Sequence, residues 1–149
     1  EECIAEALKE ALYTFRFLIF LVPRSNDSKF IQFLFNYEKP GDPFMLEMNA
    51  LLTAEDHGHI DKAKILLRDL HYYPFTQDET LLRKYVHDFA GFYHHKVEED
   101  IEWIHIYFKK SQIKEAAHIT SLFMHNVYRY KGKLKITVGD ALDEYRRDD

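Results

Sequence analysis

Residues 79–110 read ETLLRKYVHDFAGFYHHKVEEDIEWIHIYFKK, and the conformation of this stretch decides the fold class of the chain. On a helix with about 100° per residue, its second half separates into an apolar stripe and an adjacent histidine-glutamate band. The pattern predicts one long helix, or two helices divided at Gly91, because glycine weakens a helix interior. The stripe comprises Val97, Ile101, Ile104 and Phe108, and the band comprises His94, Glu98, Glu102 and His105.

Helix boundaries and helical spacing recur along most of the remaining chain. Pro23 ends the first apolar segment, whereas Pro43 and Gly58 bound the second. We therefore expect five to seven antiparallel helices, packed as a bundle or as a short stack of helix hairpins in a single helical domain of residues 1–149. Outside the opening stretch, the predicted helices are 3–22, 43–57, 60–70 and 112–130, with a final helical turn or two at 139–147, and the predicted strand is 131–138.

The N-terminal third allows a second interpretation. Residues 29–37, KFIQFLFNY, are too few for periodicity to distinguish a helix from a strand. If residues 12–22 and 29–37 are both strands, they pair as a hairpin. The fold is then α+β, with an N-terminal β-hairpin at 12–37.

Composition indicates a folded, acidic and aromatic-rich protein. The 149 residues are 46% hydrophobic and include ten Tyr, twelve Phe and one Trp, whose rings require a thick core or an adhesive surface. The net charge of −5 argues against general nucleic-acid binding, since phosphate backbones select basic surfaces. We interpret the basic residues within 129–135 as a solvated connection.

Cysteine content and hydropathy suggest the compartment. Cys3 is the only cysteine, so no intrachain disulfide can form, and a reducing environment is favoured. The most apolar stretch, FRFLIFLV at residues 15–22, is too short to span a bilayer. We expect a cytoplasmic protein with no membrane association.

One local resemblance supports helix hairpins. Residues 50–67, ALLTAEDHGHIDKAKILL, resemble the helix-turn-helix part of an ankyrin-type repeat through Ala54, the Gly58-His59 turn and the Leu66-Leu67 pair. The resemblance implies a stacked-hairpin surface of the kind that binds other proteins.

Two Glu-x-x-His motifs form the strongest chemical pattern. This spacing places both ligands of a motif on one helical face, and paired motifs on facing helices hold the metals of di-iron and di-manganese bundles. A chain reversal near residues 110–112 would bring His105 and His118 to the same level on adjacent helices. The candidate metal ligands are Glu98, Glu102, His105, Glu115 and His118.

Glu98 and Glu102 also belong to a motif that resembles one of a known enzyme family. Glu98-Glu99-x-x-Glu102 is similar to the first metal-binding motif of the all-α nucleotide pyrophosphatases, the MazG-like family. The resemblance implies carboxylates one helical turn apart that hold Mg²⁺ against nucleotide phosphates. The family's second motif is Glu-x-x-Asp, and Thr137-x-x-Asp140 departs from it by lacking the Glu.

Two functions follow from these patterns. The sequence has no Gly-rich phosphate loop, no G-x-S-x-G, no HExxH and no Cys pair for zinc. We therefore expect a non-enzymatic protein-interaction module, such as an inhibitor, adaptor or immunity-type protein, that needs no cofactor and whose partners include a second copy of itself. The alternative is a divalent-metal-dependent helical-bundle enzyme, either of the di-metal carboxylate or of the nucleotide pyrophosphatase-like type. The candidate anchors for a protein partner are Tyr72, Tyr73 and Phe75.

Overall fold

The computed structural model describes residues 1–14, 17–21, 30–35, 44–51, 58–74, 91–98 and 101–139. Within these residues, three α-helices accompany seven β-strands, so the fold is α+β. The helices are α1 (Glu2–Thr14), α2 (His59–Asp69) and α3 (Ile113–Leu122). The strands are β1 (Phe17–Leu21), β2 (Phe30–Leu34), β3 (Phe44–Leu51), β4 (Tyr73–Pro74), β5 (Gly91–Glu98), β6 (Ile101–Phe108) and β7 (Lys135–Gly139). A 3₁₀ turn (Lys110–Gln112) precedes α3, and a π-helical turn (Phe123–Val127) continues it.

The strands form one sheet in the order β4-β5-β6-β3-β2-β1-β7. All neighbouring strands are antiparallel except the parallel pair β4 and β5. Strands β3 and β6 are far apart in sequence and pair at the centre, from Phe44 opposite Phe108 to Leu51 opposite Ile101. Strands β1 and β2 form the N-terminal hairpin of the alternative interpretation.

The prediction of an all-helical bundle is wrong, and the opening stretch explains the error. Residues 91–98 and 101–108 are strands, whereas residues 75–90 lie outside the described segments. Ile104, Ile106 and Phe108 of β6 are fully buried on one face, whereas Trp103 and Tyr107 on the other face are only partly buried, which is the alternation of a strand. Apolar residues on both sides of the segment also fitted a helix packed between neighbours, but β-branched and aromatic residues favour a strand.

The predicted helix 43–57 is likewise wrong. Residues 44–51 are strand β3, and residues 52–57 lie outside the described segments. Gly58, with a φ of 97°, is the N-cap residue of α2. Of the stretch that resembles an ankyrin-type helix-turn-helix, residues 50 and 51 are strand and the second helix is α2, and residues 52–57 lie outside the described segments.

Other predicted elements are confirmed. Helix 60–70 is α2, helix 112–130 is α3 with its π-helical turn, and strand 131–138 corresponds to β7. The first predicted helix is half correct, since α1 ends at Thr14 and residues 17–21 are strand β1. No helix within the described segments has the length and apolarity needed to cross a bilayer.

The three helices pack on one face of the sheet, which we call the core face. Buried residues of all three join one cluster with the core-face residues, among them Leu8 of α1, Leu67 of α2 and Ile119 of α3. Phenylalanines run across the sheet within this cluster, with ring centroids 5.7–6.2 Å apart from one ring to the next. The rings are Phe20, Phe33, Phe44 and Phe108. The aromatic content thus forms a thick core, as composition predicted.

Candidate functional site on the outer face of the sheet

The residues that alternate with the core residues form the opposite side of the sheet, which we call the outer face. None of its described apolar residues joins the core cluster, and yet each is half-buried. Because the described helices pack on the other side, none of them accounts for this partial burial. The apolar members are Phe17, Ile19, Phe30, Leu34, Met45, Trp103 and Tyr107.

Strand register arranges the outer face in rows. One row crosses six strands and passes through successive Cα partners, and we call it the central row. On one side of it the apolar register neighbours are Phe17, Leu34, Met45 and Tyr107. On the other side the row is mixed, because Phe30 and Trp103 share it with Lys135, Asn49 and His95. The outer face therefore has a polar centre with an apolar margin on one side and a mixed margin on the other. The central row is Thr137, Ile19, Gln32, Glu47, His105 and Tyr93.

Glu47 and His105 occupy the middle of the central row. Their Cα atoms are direct partners across β3 and β6, and Nε2 of His105 lies 3.3 Å from Oε1 of Glu47. The side chain of Glu47 is 16% exposed and that of His105 is 9% exposed. Ionisable groups are seldom buried to this extent unless they are paired. The two side chains are therefore treated as one polar unit of the outer face.

Trp103 is the only tryptophan of the chain and lies beside this pair. Its ring centroid is 6.2 Å from that of His105 and 6.3 Å from that of Phe30, which meets it edge-on. The indole Nε1 is buried, and no described residue accepts a hydrogen bond from it. A buried donor without an acceptor costs about 1–3 kcal/mol, so a bound molecule that supplied an acceptor would recover this energy.

The five predicted metal ligands are not brought together in the described part of the chain. His105 lies on the outer face, whereas Glu115 and His118 belong to α3, which packs on the core face. Glu98 and Glu102 are strand residues of β5 and β6, and only their backbone is described. The first Glu-x-x-His motif is thus on a strand, so the predicted pair of facing helical motifs is wrong. No group of three or more His, Cys, Asp or Glu within the described segments could hold a metal; metal binding by the five residues stays a prediction.

Glu115 has a structural role at the start of α3. It accepts hydrogen bonds from the Tyr72 hydroxyl and, at 3.0 Å, from Nε2 of Gln112. Oε1 of Gln112 in turn accepts the backbone N–H of Lys109 at 2.8 Å. These contacts fasten the segment after α2 to the connection between β6 and α3. Burial, and then the hydrogen bond to Glu115, raise the pKa of the Tyr72 phenol far above its usual range.

His118 has a different partner on the surface. Its Nδ1 is 2.6 Å from Oε1 of Glu1, so the pair links α3 to the residue that precedes α1. The hydrogen bond with His118 lowers the pKa of the Glu1 carboxyl below its usual value. Both side chains are about half exposed, at 47% and 52%. The contact is an exposed hydrogen bond, separate from the outer face.

The three predicted partner anchors have different surroundings. Tyr72 is buried and its hydroxyl is engaged by Glu115, so its ring packs inside the molecule. Tyr73 is 61% exposed on strand β4 and can reach a partner. Phe75 lies outside the described segments.

Gln32, Glu47 and Trp103 were missed by the sequence-based reasoning. A usable signal was present in residues 44–51, FMLEMNAL, where polar residues occupy alternate positions as in a half-buried strand. That alternation would have placed Glu47 on the outer face. Its partner His105, however, is 58 positions away in the chain and is found only through strand pairing.

Comparison of the chain with protein-family models, curated proteins and solved structures gives no match. Neither family resemblance noted in the sequence gains support. The chemistry of the outer face therefore carries the functional argument. Aromatic and apolar margins around a few convergent polar groups are typical of sites for small organic molecules.

Proposed function

We propose that the protein binds a small, neutral organic molecule with a ring-bearing body on the outer face of its sheet. The observation that supports this proposal is the buried indole N–H of Trp103, for which no described residue supplies an acceptor. In the complex, a carbonyl or ether oxygen of the ligand accepts this hydrogen bond, which requires a neighbouring side chain to move aside because the N–H is buried. The protein is thus a binding module whose partner is a small molecule.

The surroundings of Trp103 select the class of ligand. Phe30 and the indole ring offer flat apolar surfaces against which a ring can pack. The carboxylate of Glu47 adds negative charge to the same face, which disfavours an anionic ligand. Gln32, the register neighbour of Glu47, can pair with further polar groups of the ligand.

A neutral fluorescent ketone tests the proposal. The probe is 6-propionyl-2-(dimethylamino)naphthalene, which combines a ring body with one carbonyl acceptor and emits at shorter wavelength outside water. Because Trp103 is the only tryptophan, energy transfer from it reports that the probe is bound to the protein, and the Trp103 variant described below tests the place of binding. We expect saturable transfer accompanied by a blue-shifted probe emission. Non-saturable transfer, or none, contradicts the proposal.

Variants separate the hydrogen bond from general apolar adsorption. Trp103→Phe keeps a ring and removes the N–H donor, so it should weaken ketone binding about tenfold, as expected for one lost hydrogen bond. 2-(Dimethylamino)naphthalene, which lacks the carbonyl, should bind both proteins equally. The matched control is Ile65→Ser, which removes an exposed apolar side chain of α2. It should change neither the affinity for the ketone nor that for 2-(dimethylamino)naphthalene.

The interaction-module hypothesis retains a separate structural basis. Ile136 and Val138 are apolar side chains that are 49% and 37% exposed on β7, at one end of the sheet. This surface is distinct from the outer face, because both residues are on the core side of the sheet, as partners of Phe20 and Leu18. It supports protein binding at the sheet edge as a second candidate function.

A further inference from the structure

The two ends of the sheet differ in how their edges are protected. Strand β4 has two residues, one of which is Pro74, and both shortness and proline discourage edge-to-edge pairing. Strand β7 has five residues without proline, and its only partner among the described strands is β1. It also exposes Ile136 and Val138. The edge of β7 is therefore the one suited to accept another strand.

We infer that β7 pairs antiparallel with β7 of a second copy of this chain, about a two-fold axis at Thr137. A two-fold axis perpendicular to the sheet keeps the core faces of both copies on the same side. The two seven-stranded sheets then continue into each other across the interface. Strand addition of this kind gains main-chain hydrogen bonds, and the facing side chains give it specificity.

The sequence of β7, KITVG, is complementary to itself in this register. Ile136 lies opposite Val138 of the second copy, and Val138 opposite Ile136, so the exposed apolar side chains cover each other in two symmetric contacts. Thr137 lies opposite Thr137 of the second copy at the axis. Because β7 itself supplies the surface that fits β7, a second copy of the chain is favoured over an unrelated peptide.

Charge selects the same arrangement. In the antiparallel register Lys135 lies opposite Gly139 of the second copy, so the two lysines are at opposite ends of the interface. A parallel pairing in register would instead bring Lys135 beside Lys135, which is unfavourable. The antiparallel interface is also isologous, so it closes as a dimer and does not propagate into a fibre.

The dimer has a consequence for the outer face. Thr137 is the last residue of the central row, which runs from there to Glu47 and His105. The axis at Thr137 therefore joins the central rows of two copies into one continuous row. Dimerisation rests on the edge of β7 alone, so it stands whether or not the outer face binds a ligand.

Size-exclusion chromatography with light scattering on the full chain tests this inference. The wild type should give twice the 17.9 kDa chain mass at high concentration and shift towards one chain on dilution. The double variant Ile136→Lys/Val138→Lys places lysine opposite lysine and should be monomeric at all concentrations. Circular dichroism like that of the wild type shows that this loss is not unfolding.

A charge-complementation experiment fixes the register. Ile136→Glu/Val138→Glu should also be monomeric alone, whereas an equimolar mixture of the lysine and glutamate variants should recover a dimer, because every facing pair is then Lys with Glu. Ile65→Lys, at an exposed apolar site on α2, should leave the wild-type dimer intact. A wild type that stays monomeric, a dimer unaffected by the lysine variant, or a mixture that does not associate overturns the inference.

Discussion

His105 of β6 lies directly opposite Glu47 of β3, with Nε2 and Oε1 3.3 Å apart, on the face of the sheet that the described helices do not cover. The contact joins the two strands that pair at the centre of the sheet. It also puts two ionisable groups among half-buried aromatic rings. The pair thus belongs both to the centre of the sheet and to the proposed binding surface, and the two roles can be tested separately.

Energetic coupling between Glu47 and His105 is the first prediction. Either Glu47→Leu or His105→Leu removes the contact between the two buried groups and should lower the free energy of unfolding by about 1–3 kcal/mol. The double variant should lose less than the sum, with a coupling of about 1 kcal/mol. Urea denaturation of the four proteins measures the cycle. Additive losses would show that the pair does not interact.

Loss of the Tyr72 hydroxyl should destabilise the junction between α2 and α3. Tyr72→Phe leaves one oxygen of the Glu115 carboxylate without its donor and should cost about 1–2 kcal/mol of unfolding free energy. The neighbouring Tyr73→Phe is the matched control, because that side chain is exposed. Equal stabilities of the two variants in urea denaturation would refute the proposed role of this hydrogen bond.

The raised pKa of Tyr72 predicts an alkaline loss of stability. The folded phenol keeps its proton above the ordinary value of 10.0, whereas the unfolded phenol loses it there. Above that pH the unfolded state therefore binds fewer protons than the folded state. The contribution of Tyr72 to the free energy of unfolding is thus fully present below pH 10.0 and falls as the pH rises further. The stability difference between wild type and Tyr72→Phe should therefore shrink above this pH, and a constant difference would contradict the prediction.

A side chain at position 139 should clash with the ring of Phe17 and destabilise the fold. The ring of Phe17, the cross-strand partner on β1, occupies the position that a Cβ of residue 139 would take. Gly139→Ala should therefore cost about 1–2 kcal/mol through overpacking. In the Phe17→Leu background, Gly139→Ala should lower the free energy of unfolding by clearly less. Thermal unfolding compares the two backgrounds, and an equal loss in both would exclude a clash with the ring.

The Glu1 carboxyl should titrate below the ordinary value of 4.5, because its hydrogen bond with His118 favours the charged form. Its contribution to stability is present above that value and is lost as the pH falls through the lowered pKa. In NMR titrations, His118→Ala should return the pKa of Glu1 towards 4.5. His125→Ala, which removes only a weaker charge effect, should move it less. Equal shifts would argue against the hydrogen bond as the main cause.

Local signals predicted the helices better than the sheet. Gly58 and the apolar spacing of residues 60–70 placed α2, and the spacing of residues 112–130 placed α3, because these helices bury one stripe each. Strands β3, β5 and β6 were misread as helices. In β3 and β6, side chains are apolar at intervals of both two and three or four, so one sequence supports either structure.

The candidate site was predictable only in part. His105 was singled out as a metal ligand, and the structure instead pairs it with Glu47 across the sheet. Glu115 and His118 formed the second motif of the same sequence pattern, but their partners are Tyr72 and Glu1. These contacts depend on strand register and helix placement, and no local spacing encodes either of them.

The most direct test of the outer face as a binding site is the indole N–H resonance of Trp103 in a ¹⁵N-¹H correlation spectrum. The chain has one tryptophan, so this resonance is unique. On titration with 6-propionyl-2-(dimethylamino)naphthalene, we predict a saturable downfield shift of the indole proton, as expected when a carbonyl accepts its hydrogen bond. The shift should be absent with 2-(dimethylamino)naphthalene. An indole resonance that does not move while the ketone binds elsewhere would contradict the account.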